Sequence, residues 1–108
     1  MSYNLILPPK GVDEVIQVTF PFQDQMPFGS VLSGAAVTAI VYSGTDIDPA
    51  AVVSGAPVLV NTYNIQQEIV GGLAGVTYHL VCSVACGDLV LTKDAFLAVI
   101  NPDAVFGG

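Results

Sequence analysis

The stretch GGLAGVTYHLVCSVACGD, residues 71–88, decides the fold. Its opening glycines can adopt the positive φ angles of a tight turn. In the run that follows, alternate side chains of a strand would point to opposite sides, and one side collects Tyr78, Leu80, Cys82 and Val84. A Gly-Asp pair then supplies a hairpin turn. The stretch therefore predicts one strand of a β-sandwich with a turn at each end.

The segments around this strand carry the same signal. Residues 15–22 alternate, residues 31–44 predict a long strand bent at Gly34, residues 58–70 hold one or two strands, and residues 89–100 form the last strand. Residues 45–57 predict a loop with one helical turn, in which Asp48 is a candidate N-cap before Pro49. Because no long window repeats apolar residues at helical spacing, we expect an all-β, single-domain antiparallel β-sandwich of about seven strands.

The two ends differ from the middle of the chain. They combine proline and glycine with large apolar residues and show no clear alternation. We therefore expect an extended N-terminal arm at residues 1–13, the sandwich at residues 14–100 and a C-terminal arm at residues 101–108. Apolar side chains are costly to leave in water at a free end, so both arms are predicted to dock on a partner.

The composition predicts that part of the protein's surface is covered by another protein. Hydrophobic residues make up 53% of the 108-residue chain and charged residues 10%, whereas a typical domain is about a quarter charged. Several predicted strands are apolar on both faces, which indicates that one outer face packs against another protein. The residues expected at this interface lie on two strands and on the arms: Ile40, Tyr42, Phe96, Ile100, Leu5, Leu7 and Phe106.

The net charge and the lack of targeting signals exclude nucleic acids and membranes as expected partners. The formal net charge is −7, with two lysines and no arginine, so we expect no binding to nucleic acid, whose phosphates need basic side chains. The N-terminal residues lack the pattern of a signal peptide, and no apolar run is long enough to cross a membrane. We expect a chain made in the cytosol, with no membrane contact and with free thiols at Cys82 and Cys86.

No motif for catalysis or for a cofactor stands out. The single histidine, His79, would face away from Cys82 and Tyr78 on its strand, which leaves it without a nucleophile. Two cysteines and one histidine are too few for a structural zinc site, and the Asp-x-Asp pair before Pro49 lacks the later ligands of a calcium loop. We therefore expect neither enzymatic activity nor a bound metal or cofactor.

The chain resembles a family of short tailed-phage virion proteins across residues 14–100. The resemblance rests on a Gly-Gly-x-x-Gly-x-x-Tyr motif ending at Tyr78, the alternating strand that runs to Gly87, a last strand ending Leu97-x-Val99, and the Ser54-Gly55-x-Pro57 motif. It implies a single immunoglobulin-like domain. It also implies the role of a fibre–tail adaptor, a virion protein that seats a tail fibre on the tail tube or portal.

The expected function is therefore that of a structural virion component, assembled in the host cytoplasm. Its partners would be tail, portal or fibre subunits in a symmetric ring. Two alternatives remain open: a capsid decoration or head–tail completion protein, and a lone immunoglobulin-like module that binds a surface glycan.

Overall fold

The computed structural model describes residues 4–26 and 29–101, with side chains from residue 6 onward. The strands, in chain order, are β1 (Asn4–Ile6), β2 (Lys10–Gly11), β3 (Ile16–Pro21), β4 (Leu32–Ser43), β5 (Val53–Val60), β6 (Asn64–Ile69), β7 (Thr77–Cys86) and β8 (Leu89–Ile100). Two short 3₁₀ helices lie at Gln23–Gln25 and Pro49–Val52. The structure is thus all-β, as the sequence predicts.

The strands form two sheets that pack as a sandwich. One sheet has the order β1-β8-β7-β4, with β2 pairing farther along the same edge of β8, and the other has the order β3-β6-β5. From β3 to β8 the chain divides its strands as an immunoglobulin constant-type domain divides strands B, E and D from strands C, F and G. The predicted immunoglobulin-like sandwich of about seven strands is confirmed.

The core lies where period-two alternation places it. Tyr78, Leu80, Cys82 and Val84 of β7 are all buried, and they face Phe20 and the other apolar side chains of β3 and β6. Strand β4 bends as expected, because its register with β7 shifts between Ser33 and Ala36, around a glycine with φ of +61°. The alternation in the sequence therefore separates buried from outward-facing residues correctly in these strands.

The N-terminal segment differs from the free arm that the sequence suggests. Strands β1 and β2 both pair in parallel with β8, and the amides of Leu7 and Val12 donate to the carbonyl oxygens of Phe96 and Ile100 over 3.0 and 3.1 Å. The edge of β8 offers backbone groups that need partners, and the nearby N-terminal chain supplies them. Residues 4–11 therefore belong to the sandwich. Of the predicted C-terminal arm, only Asn101 is described, and it is exposed.

The segment at residues 45–57 is only partly a loop. Pro49 begins a 3₁₀ helix, but the Asp48 side chain makes no capping hydrogen bond; instead, the Asp48 amide donates to Oδ1 of Asp46 over 2.9 Å. Strand β5 then begins at Val53, inside the predicted loop. The sequence looked like a loop because β5 departs from regular pairing with β6 between Ser54 and Val58. A bulge of this kind interrupts the alternation by which strands are recognised.

A buried tyrosine joins the loops at one end of the sandwich. Tyr78, near the start of β7, accepts a hydrogen bond from the Leu73 amide over 2.9 Å and donates one to Oδ2 of Asp46 over 2.6 Å. Its position and its bond to the preceding backbone correspond to the tyrosine corner of immunoglobulin-like domains. This contact holds the β4–β5 connection against the β6–β7 connection.

Candidate functional site

The outward side of the β1-β8-β7-β4 sheet carries a row of large side chains. The strand register places Ile40 opposite His79, His79 opposite Phe96, and Phe96 opposite Ile6, so the row crosses four neighbouring strands. Tyr42 lies beside it on β4. Ile6, Ile40 and Tyr42 expose 79%, 52% and 68% of their surface. We call the set Ile6, Ile40, Tyr42, His79 and Phe96 the apolar face.

Ring contacts fix the centre of the apolar face. The Tyr42 and Phe96 rings meet edge to face with centroids 4.8 Å apart, and the His79 ring stacks on Phe96 at the same separation with 10° between the planes. Such aromatic pairs contribute beyond the area they bury. Because the rings already hold one another in place, a partner that covered them would lose little side-chain entropy.

The apolar face is bordered by one carboxylate. Asp94 is the sole acidic residue on β1, β2, β4, β7 and β8, and its Oδ2 lies 3.0 Å from Nε2 of His79. Both side chains are partly buried. This pairing limits the cost of covering the carboxylate, since an unpaired charge is expensive to remove from water.

A groove runs along one side of the apolar face. It has a volume of about 360 Å³ and is lined by Ile6, Leu7, Tyr42, Thr77, Phe96 and Ala98. Its walls are therefore apolar or neutral. A shape of this kind suits an apolar side chain of a partner better than a charged or strongly polar ligand.

The outward side of the other sheet is polar on β3 and β6, and it carries the exposed Val58 on β5. Gln17 and Thr19 of β3 lie beside Gln66 and Glu68 of β6, and the Gln66 amide donates to Oγ1 of Thr19 over 3.3 Å. Glu68 accepts a hydrogen bond from Ser54 over 2.9 Å. The two outer surfaces of the sandwich thus differ in chemistry, and only the β1-β8-β7-β4 side resembles the core of a protein–protein interface.

Both lysines of the chain are buried, which leaves the solvent-facing charge acidic. Nζ of Lys10 donates to the carbonyl oxygens of Gly11 and Gly71, each over 2.7 Å. Nζ of Lys93 lies 3.4 Å from Oδ1 of Asp24 and 5.8 Å from the centre of the Phe22 ring. Among the described residues, no exposed lysine or arginine remains. A basic partner surface would therefore be attracted to this protein.

The structure brings together three of the predicted interface residues. Ile40, Tyr42 and Phe96 belong to the apolar face. Ile100 is half-buried and lines a separate cleft of about 630 Å³ at the end of β8. Leu7 lines the groove and packs partly against the core. The side chain of Leu5 and the whole of Phe106 lie outside the described residues.

Two members of the apolar face were missed by the predicted interface set. Ile6 lies in the segment predicted as an N-terminal arm, and His79 is considered from the sequence only as a catalytic candidate. Neither strand alternation nor composition shows that they share a row, because the row depends on cross-strand register. The parallel pairing of β1 with β8 is what brings Ile6 to Phe96.

Groups that could support other chemistry lie apart. Cys82 and Cys86 are free thiols, as expected, and both are buried on β7, where Cys86 is the last residue. Within residues 4–26 and 29–101, no three His, Cys, Asp or Glu side chains are grouped as metal ligands would be. The same residues include no helix with the length and apolar character of a membrane span.

Comparison of the chain with protein-family models, with curated proteins and with solved structures found no match.

Proposed function

We propose that this chain is a non-enzymatic structural protein of a tailed-phage virion, an adaptor that joins tail or portal proteins to tail fibres. Two things support the proposal: the resemblance carried by residues 14–100 and the presence of a row of large apolar and aromatic side chains on one outer face, opposite the polar outer side of β3 and β6. The adaptor would be made and assembled in the host cytoplasm. In a symmetric ring it would contact other virion proteins through this face.

The contrast between the two outer faces is the observation that carries the proposal. A solitary module could keep both faces polar, as strands β3 and β6 of the other sheet do. Covering a large apolar side chain fully contributes about 1.5–3 kcal/mol. Ile6, Ile40 and Tyr42 are each largely exposed, so a complementary partner would gain several such contributions around a preset aromatic centre. Residues of this kind are the usual anchors of stable interfaces.

Charge indicates the chemistry of the partner surface. The solvent-facing charges of the described residues are acidic, and the sole acid bordering the apolar face is paired with His79. We therefore expect the contacted tail, portal or fibre surface to be apolar at its centre, with lysine or arginine around it. Such complementarity speeds encounter and fixes orientation more than it raises affinity.

Mass spectrometry of purified particles of the encoding phage tests the proposal. The chain should be present at a fixed ratio to the tail proteins, and a cryo-electron microscopy map should show it where fibres join the tail. Absence from purified particles would refute the virion role. Placement on the head would replace the adaptor with a capsid decoration or head–tail completion protein. Glycan-array binding by the lone domain would favour the surface-binding alternative.

Substitutions test whether the partner binds the apolar face or another part of the domain. Phe96→Asp and Ile6→Asp should abolish incorporation into particles while the circular dichroism spectrum stays that of the native protein. Thr19→Asp, on the polar face, is the matched control and should assemble normally. Removal of residues 101–108 is also expected to abolish assembly. Normal particles with both apolar-face variants would show that the partner binds elsewhere.

A further inference from the structure

Within the described residues the sandwich has four sheet edges, and three of them carry features that oppose pairing with another strand. Pro8 and Pro9 interrupt the edge formed by β1 and β2, β3 ends at Pro21, and β5 contains Pro57 beside its bulge. Proline removes an N–H donor, and bulges disturb the ladder, so such edges are poor templates. The fourth edge, β4, has no proline, and its two register shifts lie towards its ends, between Ser33 and Ala36 and between Val41 and Ser43, which leaves residues 36–41 regular.

Strand β4 also has no charged residue along its 12 positions. Within the described part of the chain, its backbone pairs with β7 alone. On its inward side Ala39 is buried, but Val37 and Val41, which pack against the core, are only half-buried, so the domain covers this side of the strand only in part. A long, neutral edge whose backbone is not paired is the kind of strand that accepts another strand.

The space beside this edge is apolar. A crevice of about 170 Å³ opens between β4 and β5, with Gly34, Pro57, Leu59 and Ile65 among its lining residues. Leu59 is also partly exposed. A strand added to β4 would therefore place its inward side chains against apolar residues and its outward ones beside Ile40 and Tyr42. The added strand must therefore be uncharged, with apolar side chains on both its inward and its outward side.

We propose that the occupant is β4 of a second copy, paired antiparallel across a two-fold axis. β4 has the required composition, with apolar residues on its inward side (Val37, Val41) and its outward side (Ile40, Tyr42). Two-fold pairing uses both copies of this edge, so assembly stops at a dimer. The proline-bearing edges do not propagate it further. Each copy carries a net charge of −7, but none of that charge lies on β4.

The dimer would join two β1-β8-β7-β4 sheets into one continuous layer. Two copies of the apolar face would then lie on the same layer and form a wider surface for a larger partner. The dimer does not require the virion role proposed above, because its geometry comes from the edge of the strand rather than from the apolar face. The two proposals can therefore fail separately.

Engineered cysteines test the geometry directly. Both native cysteines are buried, so a new outward thiol can be oxidised selectively. We expect one or two of Ala36→Cys, Thr38→Cys and Ile40→Cys to form a covalent dimer rapidly, since only positions near the two-fold axis bring side chains within about 5 Å of their own copy. Thr19→Cys, on the polar face, should stay monomeric. Equal crosslinking at all four positions, or none on β4, would overturn the proposal.

Sedimentation equilibrium supplies the second measurement. The native chain should have the mass of a dimer. Thr38→Lys should lower the mass to that of a monomer with an unchanged circular dichroism spectrum, because it would place an ammonium group of each copy among the apolar side chains of the paired strands. Thr19→Lys and Ile6→Lys should remain dimers. A native monomer at all concentrations would refute the pairing. A dimer disrupted by Ile6→Lys but not by Thr38→Lys would show association through the apolar face instead.

Discussion

The hydroxyl group of Tyr78 and the carboxylate of Asp46 are joined by a hydrogen bond of 2.6 Å between two connections of the sandwich. Burial raises the pKa of Tyr78 above its usual value, and the bond to Asp46 raises it further. The same bond lowers the pKa of Asp46, with help from the Asp48 amide. Both shifts favour the state in which Tyr78 is protonated and Asp46 is ionised.

Tyr78→Phe tests how much this junction stabilises the fold. The variant keeps the buried ring but leaves the Leu73 amide and the Asp46 carboxylate without their shared partner. We expect the free energy of unfolding to fall by about 1–3 kcal/mol, measured by urea denaturation. Tyr42→Phe is the matched control, because Tyr42 is exposed and its ring contact with Phe96 survives. Equal losses in the two variants would show that the junction is not specific.

Alkaline pH should destabilise the protein through its core thiol. Burial raises the pKa of Cys82 from 9.0 to about 12. The unfolded chain therefore releases this proton near pH 9, whereas the folded chain keeps it until about pH 12. Because the unfolded state binds fewer protons in that window, the stability present below pH 9 is lost as pH rises through it. Tyr78 acts in the same direction, since its folded pKa is also raised.

Urea denaturation at a series of pH values measures this loss. Cys82→Ala should be less stable at pH 7, because it leaves a small cavity, but its stability should fall less steeply between pH 9 and 12. Val84→Ala, a neighbouring core truncation in β7, should lose stability at pH 7 and keep the native slope. Parallel profiles for native protein and Cys82→Ala would contradict the assignment to this thiol.

Lys10 is expected to anchor the N-terminal strands through its ammonium group. Lys10→Met keeps the length of the side chain but removes the donor for the carbonyl oxygens of Gly11 and Gly71. Hydrogen bonds that involve a charged group contribute about 1.5–3 kcal/mol to stability, so we expect the free energy of unfolding to fall by an amount of that order. Hydrogen exchange should accelerate first at the Val12 amide, which bonds to Ile100. Unchanged exchange there would show that β2 is held by the backbone ladder alone.

The sequence predicts well what depends on alternation within one strand. The buried set of β7 and the outward positions of Ile40, Tyr42 and Phe96 follow from period two, because one face of each strand must meet the other sheet. The sequence mispredicts two segments that lack alternation, the β1–β2 segment and the first part of β5, residues 53–57. In both, partners distant in sequence fix the conformation: β8 pairs with the N-terminal segment, and the Gln67 amide holds the Ser54 and Gly55 carbonyl groups over 2.8 and 3.1 Å.

The candidate site was predicted only in part for the same reason. Side chains from separate strands form a row when the register aligns them, and register is set by turns, bulges and edge pairing together. The burial of both lysines was also invisible in the sequence. The partners of Lys10 are backbone carbonyl groups, which carry no residue type that a pattern could display.

The turn between β5 and β6 should be strained at Thr62. Asn61 and Thr62 have φ angles of 54° and 64°, a region that a β-branched residue rarely adopts. The turn is held in this conformation because the Phe22 amide donates to the Tyr63 carbonyl oxygen over 2.9 Å.

Thr62→Gly tests this strain, because glycine adopts the same conformation without a steric cost. Glycine also gives the unfolded chain more freedom, which offsets part of the gain. We expect the free energy of unfolding, measured by urea denaturation, to rise by about 0.4–1 kcal/mol. Thr19→Gly, in the extended backbone of β3, is the control and should destabilise it by about 0.5–1 kcal/mol. Destabilisation by both substitutions would mean that the Thr62 side chain contributes more to the folded state than its backbone strain costs.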